Sequence, residues 1–414
     1  MRRFLSFLAL MFFGTSLVSI AASPLKGQEY YPDIGYFAGR CFDPDVWVRT
    51  EGLMWWTNGT DYPPLVTTSP DDTPINQAGR LGYDTTSILV GNGNHLGQMR
   101  GGFRMTAGVW RDKCHRLGLE ADYWSLSGDS ATTSYEGNGS PILARPFYDM
   151  QNQRQGAELT SFPGVAGGRV RVEGDDYVQS VGTWLRCNLI TQCCSYACDP
   201  CCDPCDDYCR PAPSRKIRME RVDFLFGYRN YRLNDRLSVY EYVEDAELPS
   251  SVDIQDHFRA LNDFHGGELG FDARLRRCKW TLDLLAAMAI GNNRRVTTIN
   301  GQQVITIGEL EPVVYPAGIL ALGTNSGHRK SDVVCVIPRF GARLGYDFTE
   351  CVSAFVSYDL VYWGDVFRAA DQIDARIDPR NIPPSTGGTG YPAFLGRGSH
   401  FWAQGISLGA EVRF

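Results

Sequence analysis

The last ten residues, Gly405 to Phe414, alternate without a break. Ile406, Leu408, Ala410, Val412 and Phe414 share one face of an extended strand, and Gly405, Ser407, Gly409, Glu411 and Arg413 share the other. One such strand would suit the edge of a soluble core. Here the pattern recurs along most of the chain, with charges on the polar face each time. It appears in 103–110, 117–124, 222–229, 269–276, 280–288, 340–348 and 356–362. Each run approaches the roughly 9–11 residues that a tilted strand needs to cross a bilayer. A sheet that is apolar outside and polar inside is a transmembrane β-barrel. The expected fold is therefore all-β: an antiparallel up-and-down barrel.

The N-terminus has the form of a secretory signal. Arg2 and Arg3 supply charge, Phe4 to Ala22 is apolar, and small residues stand at 19–22 for cleavage. The expected organisation is a signal peptide at 1–22, an N-terminal lead at 23–45 and a barrel at 46–414. No later stretch reaches the roughly 18 apolar residues of a membrane helix, so any span must be β. Aromatics make up 12% of the chain, enough to supply interfacial girdles. A net charge of −7 argues against nucleic acid as a partner. The expected location is the outer membrane of a bacterium.

Connections divide into tight turns, near 112–115, 234–236, 277–278 and 348–351, and long loops at about 57–82, 128–168, 191–216, 245–264, 300–332 and 366–400. Short turns on one rim and long loops outside is the outer-membrane arrangement. That puts the C-terminus in the periplasm and 191–216 among the outer loops. Alternation alone gives 12 strands. Keeping long and short connections in strict alternation gives about 14, the preferred count, with extra strands at Ala157–Pro163 and Leu65–Ser69. Asn300-Gly301 carries a hairpin signal.

The polar faces carry Arg49, Arg104, Arg186, Arg229, Arg274, Arg339, Arg343 and Arg413. Against them stand Glu51, Glu120, Asp122, Asp223, Asp272, Asp283, Asp347, Asp359 and Glu411. These are the candidate pore-lining residues. Signs that nearly balance suit a water-filled pore of slight selectivity. They suit equally a closed interior tied by ion pairs, because the lumen is where charge escapes lipid.

Seven cysteines crowd 193–209: Cys193, Cys194, Cys198, Cys201, Cys202, Cys205 and Cys209. Cys198 with Cys201, and Cys202 with Cys205, have a spacing that suits zinc. Disulfides in an exported segment are the preferred reading, since export meets oxidant first. The total of 13 is odd, so at least one cysteine is a thiol or bonds another molecule. Gly405-Ile406-Ser407-Leu408-Gly409 matches the nucleophile elbow of hydrolases, but the strand continues and no histidine follows. No catalytic residue, resident metal or cofactor is implied.

Several motifs spread over the chain resemble one family. They include Glu51-Gly52-Leu53-Met54-Trp55-Trp56, Pro64-Leu65-Val66-Thr67-Thr68-Ser69-Pro70 and Arg145-Pro146-Phe147. Leu225-Phe226-Gly227-Tyr228-Arg229, Asp256-His257-Phe258, Asn325-Ser326-Gly327, Asp371-Gln372-Ile373-Asp374 and Phe401-Trp402-Ala403-Gln404-Gly405 follow in order. Together they resemble the putative bacterial outer-membrane β-barrel porins of type 7. The resemblance implies a barrel and brings neither a substrate nor catalytic residues. The run at 193–209 departs from the family pattern as an insertion would. The expected function is passive diffusion of small hydrophilic solutes. The alternative is a structural or adhesive envelope protein that uses its barrel as an anchor. Expected partners are outer-membrane lipid, small solutes, the barrel-insertion machinery reading Phe414 as its signal, and a further copy of the chain in a homo-oligomer.

Overall fold

The computed structural model describes residues 45–111, 115–190, 217–349, 351–385 and 387–414. The signal peptide, most of the lead and the seven clustered cysteines lie outside the described residues. No helix among them is long and apolar enough to cross a membrane.

Ten strands form the ring: β1 (Asp45–Thr57), β2 (Arg100–Trp110), β3 (Leu117–Leu126), β4 (Ala166–Asn188) and β5 (Arg218–Asp245), then β6 (Ser250–Arg277), β7 (Trp280–Ile307), β8 (Gly327–Asp347), β9 (Val352–Val366) and β10 (Ser399–Arg413). Each pairs antiparallel with the next. β10 closes on β1, with Trp47 opposite Arg413 and Thr57 opposite Ala403. Beyond an irregular step, the strand Asp129–Gly137 prolongs β3 along the same edge of β4.

The expected count of 14, or 12, is thus corrected to ten among the described residues. The first source of the error is length. β5, β6 and β7 each run 28 residues. The turn expected at 234–236 is mid-strand: Leu233, Asp235, Leu237 and Val239 stay buried on one face straight through it. Its turn-forming residues are satisfied within the sheet. Arg259 Nε donates to Asn234 Oδ1 at 2.9 Å, and Asp235 is ion-paired. Asn300-Gly301 likewise sits inside β7, and the loop expected at 245–264 shrinks to 246–249. The second source is a separate small sheet. Arg154–Ser161 and Val66–Ser69 are strands near the two extra segments expected, but they do not join the ring. They pair with or beside Ile142–Asp149, together with Ser87–Val90 and Arg376–Ile377.

The false turn had a further consequence. It moved the 191–216 connection to the wrong rim, while the extra strand expected at Ala157–Pro163 restored the side of the turn near 112–115. The residues flanking 191–216 lie at the ends of β4 and β5, beside Leu117 and Arg276. That rim also carries Asp45, Arg413 and the turns 111–116, 278–279 and 348–351. The cysteine-rich connection therefore leaves the rim that bears the chain ends, not the far rim of the long loops.

The outward face defines a belt. On β7, Trp280, Leu282, Leu284, Ala286, Met288 and Ile290 point out, and Asn292 and Arg294 follow. The change comes at one level across four strands. Tyr228, Gly267, Ile290 and Val336 form the last row before Asn230, His265 and Asn292 enter the outward face. Two registers on, Arg232, Asp263, Arg294 and Asp332 form a charged row. Trp280 and Tyr346, with ring centroids 5.0 Å apart, mark the other edge. From Trp280 to Ile290 the belt spans eleven residues, the length that crosses a hydrocarbon layer. Above it β4–β8 continue as a tall wall. The small sheet and the segments 317–322 and 369–377 pack on its concave face, around Val172, Leu237, Val239, Ile254, Phe258 and Ile299.

Candidate functional site

The alternation that exposes an apolar belt buries the opposite face. All 17 charged residues singled out from the sequence lie on that inward face of β1–β10. Arg49, Glu51, Arg104, Glu120, Asp122, Arg186, Asp223, Arg229, Asp283, Arg339, Asp359 and Glu411 are buried. Asp272, Arg274, Arg343, Asp347 and Arg413 are partly so. Glycine on the inward face makes the room. A side chain at Gly182 would place its Cβ 2.3 Å from the Arg229 guanidinium carbon.

Within the belt the charges form a lattice of several ion-pair clusters. Arg49 Nη2 lies 2.8 Å from Glu411, and Arg413 is also 2.8 Å from Glu411. Arg104 bridges Glu51 at 3.3 Å and Asp359 at 3.0 Å, joining β2 to β1 and to β9. Arg186 holds Glu120, Asp272 and Asp223, the last at 2.8 Å. Arg229 holds Asp122 at 2.9 Å and Glu268 at 2.7 Å. Asp283 takes Arg274 at 2.7 Å and Arg343 at 3.4 Å. Arg276 meets Asp347 at 2.6 Å, and Arg339 approaches Asp359 at 3.9 Å. Neighbouring strands alone could supply such pairs. Several here skip a strand, which only a narrow lumen allows. A cavity of about 40 Å³ remains among these residues, room for a few waters.

Above the lattice the interior turns apolar. Trp55 meets Trp124 at 5.2 Å with the rings tilted by 51°, and Trp124 meets Tyr231 at 6.1 Å; Tyr231 meets Trp363 at 5.9 Å. Phe264 closes against Tyr231 and Trp363. Tyr231 is on β5 and Trp363 on β9, four places apart in a ring of ten, so the contact runs across the lumen. All five rings are at most 1% exposed. Leu53, Val178, Leu233, Ile337, Val361 and Phe401 fill the space around them. Guanidinium groups cap this layer from below: Arg104 sits 5.2 Å from the Trp55 ring, and Arg229 sits 4.4 Å from the Trp184 ring beneath it.

A third layer ties the long connections to the wall. Arg368, from the β9–β10 connection, reaches Asp235 at 2.5 Å and Asp176 at 3.1 Å. Asp176 is shared with Arg100. Asn262 accepts the Phe367 N–H and donates to the Phe367 carbonyl, both at 2.8 Å. Higher still, Asp256 accepts the backbone N–H groups of Ile319, Leu320 and Ala321 at 3.1, 3.0 and 2.6 Å, and Arg145 donates to it at 2.5 Å. Arg145 also pairs with Glu241. The half-buried Glu158 stands opposite Arg145 in the small sheet. Burial, then the nearby Glu241 carboxylate, push the Glu158 carboxyl up to about 7.

Sequence reading missed Glu268, Asp176, Asp235 and the inward aromatics. Glu268 was within reach: it continues the parity of Asp272 and Arg274. The aromatics were not, because an inward Trp breaks the expectation of a polar lumen. Among the described residues, no group of three His, Cys, Asp or Glu side chains is placed to hold a metal ion.

A closed meander of alternating strands with this belt and these inward charges is matched over 47–414 by the family model described as putative beta barrel porin-7. The chain belongs to that family. No curated protein matches it. Among solved structures it is similar to a FadL homologue of Pseudomonas aeruginosa, at 9% identity, covering 89% of this chain and 90% of that one, with a TM-score of 0.19. An anion-selective porin of Comamonas acidovorans is 8% identical over 90% of this chain and 99% of that one, with a TM-score of 0.15. The toluene transporter TodX of P. putida is 6% identical over 90% of each, with a TM-score of 0.16. Superposition this slight carries no argument. The barrel stands on its own strand pairing, and the family places it in the bacterial outer membrane.

Proposed function

We propose that this family member is an occluded outer-membrane barrel, and that it serves as an anchored envelope protein displaying its tall wall and small sheet on the far side. The observation that carries this reading is the aromatic layer. Trp55, Trp124, Tyr231, Phe264 and Trp363 meet across the lumen with almost no exposure. Ion pairs fill the space below, and docked connections fill the space above. In such an interior the inward charges act as a structural core, each carboxylate lowering the cost of burying an arginine. Two effects bear on whether the layer could open. A water-filled path would require the five rings to part, exposing apolar surface at roughly 25 cal/mol per Å². It would also require Arg368 to leave two buried carboxylates.

Passive diffusion of small solutes is the second reading, favoured by the family and by the balanced charges of the lattice. Planar-bilayer recording on purified, heat-modifiable protein separates the two. The occluded reading expects a silent bilayer for the native chain and still no current after Trp55, Trp124, Tyr231 and Trp363 are all replaced by glycine, because the ion pairs below and the docked connections above remain. Steady current from the native chain would overturn it and restore the diffusion channel.

A further inference from the structure

The outward face of the tall wall changes character in steps above the belt. On β5–β8 the belt ends at the row of Tyr228, Gly267, Ile290 and Val336. Two registers higher stand Arg232 and Arg294, on either side of Asp263. Both arginines are exposed, and among the described residues neither forms an ion pair. The carboxylates beside them are engaged elsewhere. Asp263 accepts from Asn230 at 3.1 Å and lies 3.4 Å from His265, and Asp332 accepts from the Asn292 amide at 2.9 Å. At about 3.3 Å per residue and a tilt of roughly 40°, Arg294 stands about 10 Å above the Ile290 row. A headgroup layer extends roughly 5–8 Å beyond the hydrocarbon, so arginine side chains on this row reach its phosphates.

Higher on the same face lies a polar groove of about 450 Å³. Two successive registers build it: Arg171, Tyr240 and Gln255, then Arg169, Tyr242 and Asp253. Arg171 sits 4.7 Å from the Tyr240 ring, and Arg169 sits 5.6 Å from the Tyr242 ring. The rings steady the guanidinium groups and leave N–H donors for a ligand. Glu136 stands opposite Arg169, and Glu173 lies 3.3 Å from Arg171. With Asp253 they leave the groove no surplus of positive charge, so it is not built for an anion. Planar groups that both donate and accept, set around two tyrosines, match the hydroxyls of a saccharide. Gln255 is opposite Gln302 on β7, eight residues beyond Arg294. That puts the groove about 20 Å above the arginine row.

We infer that this face binds a phosphorylated glycolipid of the outer leaflet. Its acyl chains lie on the belt, its phosphates meet Arg232 and Arg294, and its saccharide rises into the groove. Two arguments select this occupant. The zones of the wall, apolar, then cationic, then balanced and polar, follow the order of acyl chain, phosphate and sugar in such a lipid, and β5 and β6 run through all three. The face is also continuous with the lipid belt, so lipid is its constant neighbour. The inference rests on the wall standing on the far side, as proposed above, and not on the closed lumen. A conducting bilayer would leave it untouched.

Calorimetry on the full mature chain, folded in detergent and checked by its shift on heating, tests it. Lipid A and lipopolysaccharide carrying core sugars should both bind, and phosphatidylethanolamine should not displace them. Arg232→Gln combined with Arg294→Gln should weaken both by roughly 30-fold. Tyr240→Ala combined with Arg171→Ala should weaken the core-bearing form by roughly 10-fold and leave lipid A unchanged. Lipid A stripped of its phosphates should bind the native chain no better than phosphatidylethanolamine. Equal binding of stripped and phosphorylated lipid A would overturn the inference. So would displacement of lipid A by millimolar inorganic phosphate, which would mark an anion site rather than a lipid site. A groove variant that weakens lipid A and the core-bearing form alike would overturn the assignment of the saccharide.

Discussion

Replacing Phe340 with arginine tests the belt and the register together. Phe340 points outward, is 52% exposed, and lies opposite Ala286 and Leu360. Ala286 is six residues from Trp280 at one edge of the belt and four from Ile290 at the other. At about 3.3 Å per residue, with strands tilted by roughly 40°, that is about 15 Å inside the first edge, close to the midplane. An arginine there should cost about 2–4 kcal/mol, falling to about 0–1 near an interface. Leu344, opposite Leu282, is only two residues from the Trp280 row, so Leu344→Arg should cost about 1 kcal/mol. Arg343→Leu offers the control from the other face. It removes contacts of 3.4 Å to Asp283 and 3.8 Å to Glu51, but Asp283 keeps two hydrogen bonds from Arg274. The barrel should still insert. Denaturant titration in lipid vesicles, read by the heat-sensitive gel shift, measures all three. A cost for Phe340→Arg no greater than for Leu344→Arg would refute the depth assignment. Failure of Arg343→Leu to insert while Phe340→Arg inserts normally would mean that the faces are exchanged, as a slip of one residue does.

Two further outcomes are expected. Arg368→Ala leaves Asp235 buried without its cation, while Asp176 retains Arg100; the docked connection should lose about 3–5 kcal/mol and become cleavable by protease within 367–398, which is the check. Glu158 has a carboxyl raised to about 7 by burial and by Glu241, so the folded state holds a proton that the unfolded state releases above roughly pH 4.3. Stability of the small sheet should therefore fall as pH rises from about 4.5 to 7 and level off beyond. Protease protection at pH 5 and pH 8 should differ for the native chain and converge for Glu158→Gln. Greater protection at the higher pH would refute the sign.

The sequence by itself determined the local rule. A period of two over Gly405–Phe414, and over the runs before it, divides each strand into an apolar and a polar face. That division needs no partner strand to be legible, because side chains of an extended chain alternate whatever they pair with. Arg49 and Glu411, 362 residues apart, were assigned to one face before anything placed them 2.8 Å apart. Strand number was not legible in the same way. Asn234-Asp235-Arg236 has turn chemistry, and only its neighbours in the sheet decide that it stays extended. Whether the polar face lines a pore was equally hidden. That depends on ring size and on what reaches across it. Ten strands rather than 14 make a lumen narrow enough for Tyr231 to meet Trp363 and for Arg104 to bridge β1 and β9. Nor could alternation tell which rim carries the 191–216 connection once one turn was misplaced, since a false turn inverts the sides of what precedes it until a second miscount restores them. Face is a property of consecutive residues. Closure, filling and sidedness belong to the whole ring, and only the tertiary structure decided them.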